Sequence, residues 1–151
     1  ATLGNFATKL LSGKPHGITR VHGAPQPAVV GGRPVTLYPL PLEVGSSVET
    51  VARVLGGELQ GVPVAFEDTT TVDVTAHGEV ILPDLVLQDA LRVTVRLSRV
   101  PVAGIAVQQV THIFVNECLG EVARFTSPVV ALGEELPDDF PVAASVWRLG
   151  L

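Results

Sequence analysis

Cysteine, charge and aromatic side chains are all scarce in this sequence. Cys118 is the only cysteine, so no internal disulfide can form and the chain is not a disulfide-stabilised scaffold. No run of about 18 apolar residues occurs, which excludes a helix that spans a bilayer. No secretory signal pattern is visible either, which favours synthesis in the cytoplasm. A signal peptide already removed would leave the same sequence, so the compartment stays open.

Charged residues make up 17% of the 151 residues, against about 25% in typical domains, while 46% are apolar. A folded domain this poor in charge is expected to hide part of its surface against a partner or against copies of itself. A GC-rich genome that favours Ala, Val, Gly, Leu and Pro is the alternative explanation.

Basic and aromatic residues are too few for a nucleic-acid-binding surface. Ten Lys and Arg stand against 15 Asp and Glu, a net charge of −5, whereas binding to phosphate backbones depends on an excess of basic groups. One Tyr and one Trp supply little on which unpaired bases could stack. We expect no nucleic-acid partner.

Motifs with known chemistry are also missing. The sequence has no P-loop, no Gly-x-Ser-x-Gly elbow, no dinucleotide fingerprint, no His-Glu-x-x-His and no Cys-x-x-Cys. Its four histidines are scattered rather than clustered: His16, His22, His77 and His112. We therefore expect no enzyme activity, no cofactor and no metal site.

Three weaker constellations keep other functions open. An enzyme site without a motif could use Glu67 and Asp68 with His77 or His112. Cys118 and His112 could pair as nucleophile and base, but Cys118 falls in an expected turn, which favours a structural cysteine. The acidic loop from 134 to 139 could hold a cation, although most such loops are simply solvated.

Three arginines, Arg92, Arg96 and Arg99, share one strand region. Strand residues four apart lie on the same face of a sheet, about 13 Å from each other. They form either a docking stripe for acidic groups or a solvated face with cross-strand ion pairs, and the second is expected.

Residues 1–28 are expected to form a short helix and an extended arm. Leu3, Phe6, Ala7, Leu10 and Leu11 lie at helical spacing over 2–12, and the next stretch, 14–27, is rich in Pro and Gly.

Residues 29–151 are expected to form a single β-rich domain. Gly31-Gly32 predicts a hairpin between 29 and 35, with the following prolines placing it at a sheet edge. Ser46 and Glu49 form a capping box, which predicts a second helix over 47–55.

From Val62 onward the apolar period changes to two. Strands are predicted over 71–76, 79–82, 91–98, 105–116, 121–125, 128–132 and 142–149, with turns at His77-Gly78, Ala103-Gly104 and 116–120. Tight turns join neighbouring strands antiparallel. The predicted fold is therefore mainly β: an antiparallel sandwich or barrel with one or two short helices and an N-terminal arm.

The leading functional hypothesis is a non-enzymatic structural protein, one subunit of a symmetric oligomer or shell, whose partners are copies of itself or a neighbouring shell protein. A virion component, such as a capsid-decoration or tail subunit, is its concrete form. The expected interface lies in the N-terminal part of the chain: Leu3, Phe6, Leu10, Leu11, Pro25, Pro27, Val35, Leu37 and Tyr38. The alternatives are a β-barrel carrier for an apolar ligand and an enzyme with an unrecognised site.

Overall fold

The computed structural model describes residues 7–10, 28–30, 33–35, 38, 40–59, 62–136 and 138–150. Its ten strands are β1 (Ala7–Leu10), β2 (Ala28–Val30), β3 (Arg33–Val35), β4 (Ser47–Leu59), β5 (Val62–Leu82), β6 (Leu85–Pro101), β7 (Val107–Asn116), β8 (Gly120–Thr126), β9 (Val130–Ala131) and β10 (Ser145–Arg148). Every strand pair is antiparallel. The expected mainly antiparallel β architecture is confirmed.

Eight of these strands form one sheet. The order is β1-β5-β6-β7-β8-β10, with β4 beside β5 and β9 beside β7. β2 and β3 form a separate two-stranded sheet that contacts β4, which confirms the Gly-Gly hairpin. The centre of the molecule is thus the long β5–β6–β7 meander.

Both helix predictions are wrong, and the described residues contain no helix. Ala7–Leu10 pair with Gly78–Ile81 of β5, so these four residues belong to the main sheet. Residues 47–55 lie in β4, because Val48, Thr50 and Ala52 also alternate and pack against β5. A short apolar segment fits both periods, and the available sheet edge decided between them.

The turn expected at His77-Gly78 is also wrong, since β5 continues through it to Leu82. Two irregularities in the β5–β6 ladder, between Val74 and Ala76 and between Gly78 and Val80, interrupt the simple alternation there. The turn lies instead at Pro83-Asp84. The turns at 102–104 and 117–119 lie where they were predicted.

The sheet buries apolar side chains on both faces. We call the face that carries Thr94 and His112 the front face, and the face that carries Leu91 and Val93 the back face. Successive strand residues point to opposite faces, so neighbouring residues of β6 and β7 enter different clusters. The front cluster includes Val80, Leu82, Leu87, Val110, Phe114, Val122 and Phe125. The back cluster includes Val72, Val74, Leu91, Val93, Ile113 and Val115.

Irregular segments of the chain itself cover both clusters. Leu42 is fully buried in the back cluster, with Tyr38 packed beside it. Phe140 and Ala143 complete the front cluster, and Leu136 packs against it. Each face of the central sheet is therefore partly covered by residues from one end of the chain.

We expect Leu91→Ala to destabilise the fold by about 2–5 kcal/mol, because Leu91 is fully buried and its truncation leaves a cavity. Val86→Ala, on the same strand but half exposed, is the control and should change stability by about 0.5 kcal/mol or less. Urea unfolding measures both, and equal losses would contradict the assigned back cluster.

Candidate interface and the polar network of the front face

One end of the sheet carries a group of exposed apolar side chains, which we call the apolar tip. Its members are Leu55, Val100, Val102, Ile105, Val129 and Leu132. Leu55 and Val102 are each 80% exposed and Ile105 is 75% exposed. Such values are unusual for several large apolar residues at one place on a soluble domain.

Strand pairing brings the apolar tip together. Val100 of β6 pairs with Glu67 of β5, and the preceding β5 residue, Phe66, pairs with Val54 of β4. Leu55, the next residue of β4, therefore lies at the same end of the sheet as Val100. The Val102 amide donates a hydrogen bond to the carbonyl of Ala65 at 2.9 Å, and this bond fixes the start of the β6–β7 turn. Gly104 has a φ of 118°, a conformation that favours glycine.

The second half of the apolar tip is fixed by β9. The Leu132 amide donates to the carbonyl of Ala106 at 2.8 Å, beside the pair Val107 and Ala131. Residues 100–107 contain no charged or polar side chain. The end of the β6–β7 hairpin is thus apolar throughout, whereas exposed strand ends and edges usually carry charged residues that prevent association.

Sequence reasoning missed this group. It placed Leu55 on a helix and interpreted 105–116 as strand, so no pattern connected these residues. Eight consecutive uncharged and apolar residues around a turn were the available signal, because turns normally carry polar residues.

A chain of hydrogen bonds crosses the front face. Arg92 Nε donates to Thr75 Oγ1 at 2.9 Å, Thr75 and Thr94 hydroxyls lie 3.1 Å apart, and Thr94 Oγ1 lies 3.1 Å from His112 Nδ1. His112 Nε2 bonds the carbonyl oxygen of Asp138. Since a carbonyl only accepts, Nε2 carries the proton and Nδ1 of the neutral ring accepts from Thr94.

This network holds the C-terminal segment on the sheet. His112 stacks on Phe140 with ring centroids 5.3 Å apart, so the imidazole contacts the segment through both its edge and its face. Burial lowers the pKa of His112, a shift to which Arg92 contributes, while the Asp138 carbonyl and the Asp139 carboxylate oppose it. The arrangement favours the neutral ring.

Two arginines of the expected stripe, Arg92 and Arg96, form ion pairs with the acidic loop. Arg96 donates to Asp73 of β5 at 2.7 Å and to Asp138 at 2.6 Å. Arg92 lies 3.6 Å from Asp139. Arg96 lowers the pKa of the Asp138 carboxyl. These arginines therefore form ion pairs within the chain, as expected for the second interpretation of the stripe.

The back face has its own ion pair, between an exposed arginine and a buried carboxylate. Arg99 donates to both carboxylate oxygens of Asp68 at 2.7 Å, and Asp68 is 5% exposed. The same guanidinium lies 4.1 Å from the Phe66 ring centroid. A bidentate pair with a buried carboxylate positions strands β5 and β6 more firmly than a solvated pair does.

Tyr38 lies at the other side of the back face. Its hydroxyl donates to Glu121, which also accepts two hydrogen bonds from Arg124. Burial, with a smaller contribution from Glu121, raises the pKa of Tyr38 to about 12. Tyr38 is thus half-buried against its own sheet.

The other predicted interface residues are less fully described. Leu10 lies in β1 and Val35 in β3. Leu3, Phe6, Leu11, Pro25, Pro27 and Leu37 lie outside the described residues. The interface expected in this part of the chain stays a prediction.

The candidate catalytic residues do not meet in one place. Asp68 belongs to the back face and is paired with Arg99, whereas His112 is on the front face with both ring nitrogens engaged. Glu67 pairs with Arg53, and His77 lies 3.3 Å from Asp89. Within the ranges that the structure describes, these side chains form no shared acid–base site.

Cys118 does not pair with His112. It is exposed in the turn after β7, where its amide donates to the Asn116 side chain at 3.0 Å. In the described part of the chain, no group of three His, Cys, Asp or Glu side chains is arranged to hold a metal ion.

No protein-family model, no curated protein and no solved structure matches this chain. A search of the described residues for a helix with the length and apolar character needed to cross a membrane found none.

We expect the stability of the fold to fall as the pH decreases below about 6.5, the ordinary pKa of histidine. Because the pKa of His112 is lower in the folded state, the unfolded chain binds the proton more readily, and stability is lost until the pH passes the folded-state pKa. His112→Gln should remove this dependence of the unfolding free energy on pH. Urea unfolding between about pH 4.5 and 8, on both sides of the ordinary histidine pKa of about 6.5, measures it.

Thr94→Ser is the control for this experiment, since it keeps the hydroxyl that bonds Nδ1 and should keep the slope. The pKa of Asp138 lies below 3.8, so its contribution is lost at lower pH. An unchanged slope in His112→Gln would contradict the assigned role of this ring.

We expect Arg99→Met to destabilise the fold by about 2–3 kcal/mol, since it leaves the buried Asp68 carboxylate without its cation. Arg53→Met is the matched control. Its pair with Glu67 is solvated, and its loss should cost about 1 kcal/mol or less. Thermal or urea unfolding compares the two variants, and a larger loss in Arg53→Met would overturn this ranking.

Proposed function

We propose that this protein is a non-enzymatic structural subunit that assembles through contacts with copies of itself. The apolar tip carries the proposal. Leu55, Val102 and Ile105 are 75–80% exposed, and the turn between β6 and β7 has no polar side chain. Burying such side chains against a partner is favourable by about 25 cal/mol per Å² of apolar surface.

The way in which the chain closes its own core supports the same function. The back face is covered around Leu42 and the front face around Phe140, so the chain buries these parts of its core by itself. The apolar tip and the sheet edges are the surfaces that we assign to association. This fits a subunit of a symmetric oligomer or shell, a virion capsid-decoration or tail component included.

A carrier for an apolar ligand fits less well. Closure of the sheet into a sandwich or barrel around a cavity would be part of that function. Two clefts among the described residues have volumes of about 280 and 110 Å³ and are open to solvent. The larger is lined by Thr71, Arg96, Ser98, Gln108 and Glu134 among others, whereas pockets for apolar ligands are mainly apolar and span about 300–1,000 Å³.

Light scattering across a dilution series tests the proposal. We expect the wild-type chain to have a mass above the 15.8 kDa of the monomer. Combined Val102→Glu and Ile105→Glu should lower that mass, because four or more charges would be buried in each pair of contacting tips. Leu119→Glu, an exposed apolar residue at the opposite end, is the control and should leave the mass unchanged.

A wild-type chain that stays monomeric at every concentration would overturn the proposed function. A wild-type oligomer that keeps its mass after the double substitution would show that the apolar tip is not the contact surface.

A further inference from the structure

We infer that two copies of this chain join through the edge of β4 that faces away from β5, in an antiparallel register centred on Val51. This deepens the proposed function, on which it rests, by naming the partner and the surface. The argument depends on which backbone groups of β4 face outward and on the order of charges along the strand.

β4 is a long edge strand. It spans 13 residues, and among the described residues β5 is the strand that pairs with it. In the same part of the chain that the structure describes, β2 and β3 contact β4 but form a separate sheet and do not pair with it. An edge of this length presents a row of backbone donors and acceptors that another strand can match.

The outward backbone groups can be assigned by parity. The Val74 amide of β5 donates to the carbonyl of Ser46 at 2.9 Å, so Ser46 faces β5. Backbone groups alternate between the two edges of a strand, and the β4–β5 ladder runs without a shift from Ser47 to Val54. The groups of Ser47, Glu49, Val51 and Arg53 therefore face the edge away from β5.

In an antiparallel twofold pair of β4 strands centred on Val51, residues whose backbone groups face away from β5 lie opposite the equivalent residues of the second copy. Val51 faces Val51 of the second copy, Glu49 faces its Arg53, and Ser47 faces its Leu55. The Val51 position and the two Glu49–Arg53 positions exchange backbone hydrogen bonds, which satisfies the outward groups of the central part of both edges. All five side chains are exposed in the single chain.

The charges select this register over its neighbours. Centring on residue 49 or 53 opposes two glutamates or two arginines, which is unfavourable. Centring on residue 50 or 52 places one charged side chain opposite Val51 and separates the unlike charges. Among registers centred from 49 to 53, only the one on Val51 opposes Glu49 to Arg53.

Neighbouring rows of the joined sheets fit the same register. On the front face, Arg53 already pairs with Glu67 and would lie between that residue and Glu49 of the second copy. On the back face, Val54 pairs with Phe66, and Val48 with Val72. The register thus forms a continuous apolar row across four strands, from Phe66 of one copy to Val72 of the other.

The test measures the dimer in a chain that carries the Val102→Glu and Ile105→Glu substitutions, so that contacts of the apolar tip do not contribute. We expect a species of twice 15.8 kDa by light scattering. Val51→Lys should convert it to a monomer, because two lysines would meet at the twofold axis. Val86→Lys, an exposed valine on β6, is the control and should leave the dimer intact.

A complementation experiment tests the register itself. Glu49→Arg alone opposes arginine to arginine, and Arg53→Glu alone opposes glutamate to glutamate, so each should dimerise about tenfold more weakly. An equimolar mixture of the two variants restores both opposite-charge pairs in the heterodimer, and its affinity should return to that of the parent chain. Far-UV circular dichroism checks that each variant is folded.

The outcomes separate this inference from the proposed function. A chain with the Val102→Glu and Ile105→Glu substitutions that is monomeric, or whose dimer survives Val51→Lys, overturns the β4 pairing and leaves assembly in place. A mixture no tighter than the single variants does the same. A wild-type chain that never associates overturns both. Loss of the dimer in Val51→Lys with recovery in the mixture supports the inference.

Discussion

The structure depends on the ladder between β5 and β6, which runs from Phe66 and Pro101 at one end to Leu82 and Leu85 at the other. This pairing decides which side chains reach the front face and which reach the back. A shift of one residue would exchange the two faces and place Arg92 and Arg96 in the core. Both apolar clusters and both ion-pair groups follow from this register.

Buried polar groups attach the covering segments to this sheet with more specificity than apolar packing gives. His112 is the clearest case, because one ring nitrogen bonds within the sheet and the other bonds the Asp138 carbonyl of the covering segment. Displacing the segment would break this hydrogen bond, at a cost of about 0.5–1.5 kcal/mol, together with the stacking on Phe140. Arg96 adds a second polar contact to the same segment through Asp138.

In the proposed assembly, contacts with other molecules form at the edges and ends of the sheet. The β4 edge offers backbone groups and a twofold arrangement of charge, while the apolar tip offers hydrophobic surface without a symmetry of its own. Two contacts of different type on one subunit are what an extended assembly requires, because a twofold contact alone stops at a dimer. The low charge of the chain is consistent with burial of both surfaces.

The sequence by itself determined the antiparallel meander from β6 to β8 and its turns. The strict alternation from Leu91 onward and the turn glycines Gly104 and Gly120 are local signals. It did not determine β4, where helical and strand periods both fit and the edge of β5 decided. It also could not place the apolar tip or the partners of His112, since these depend on residues far apart in the chain. Pairing across strands is a property of the folded sheet, and only the tertiary structure brought Leu55 towards Val102 and Asp138 to His112.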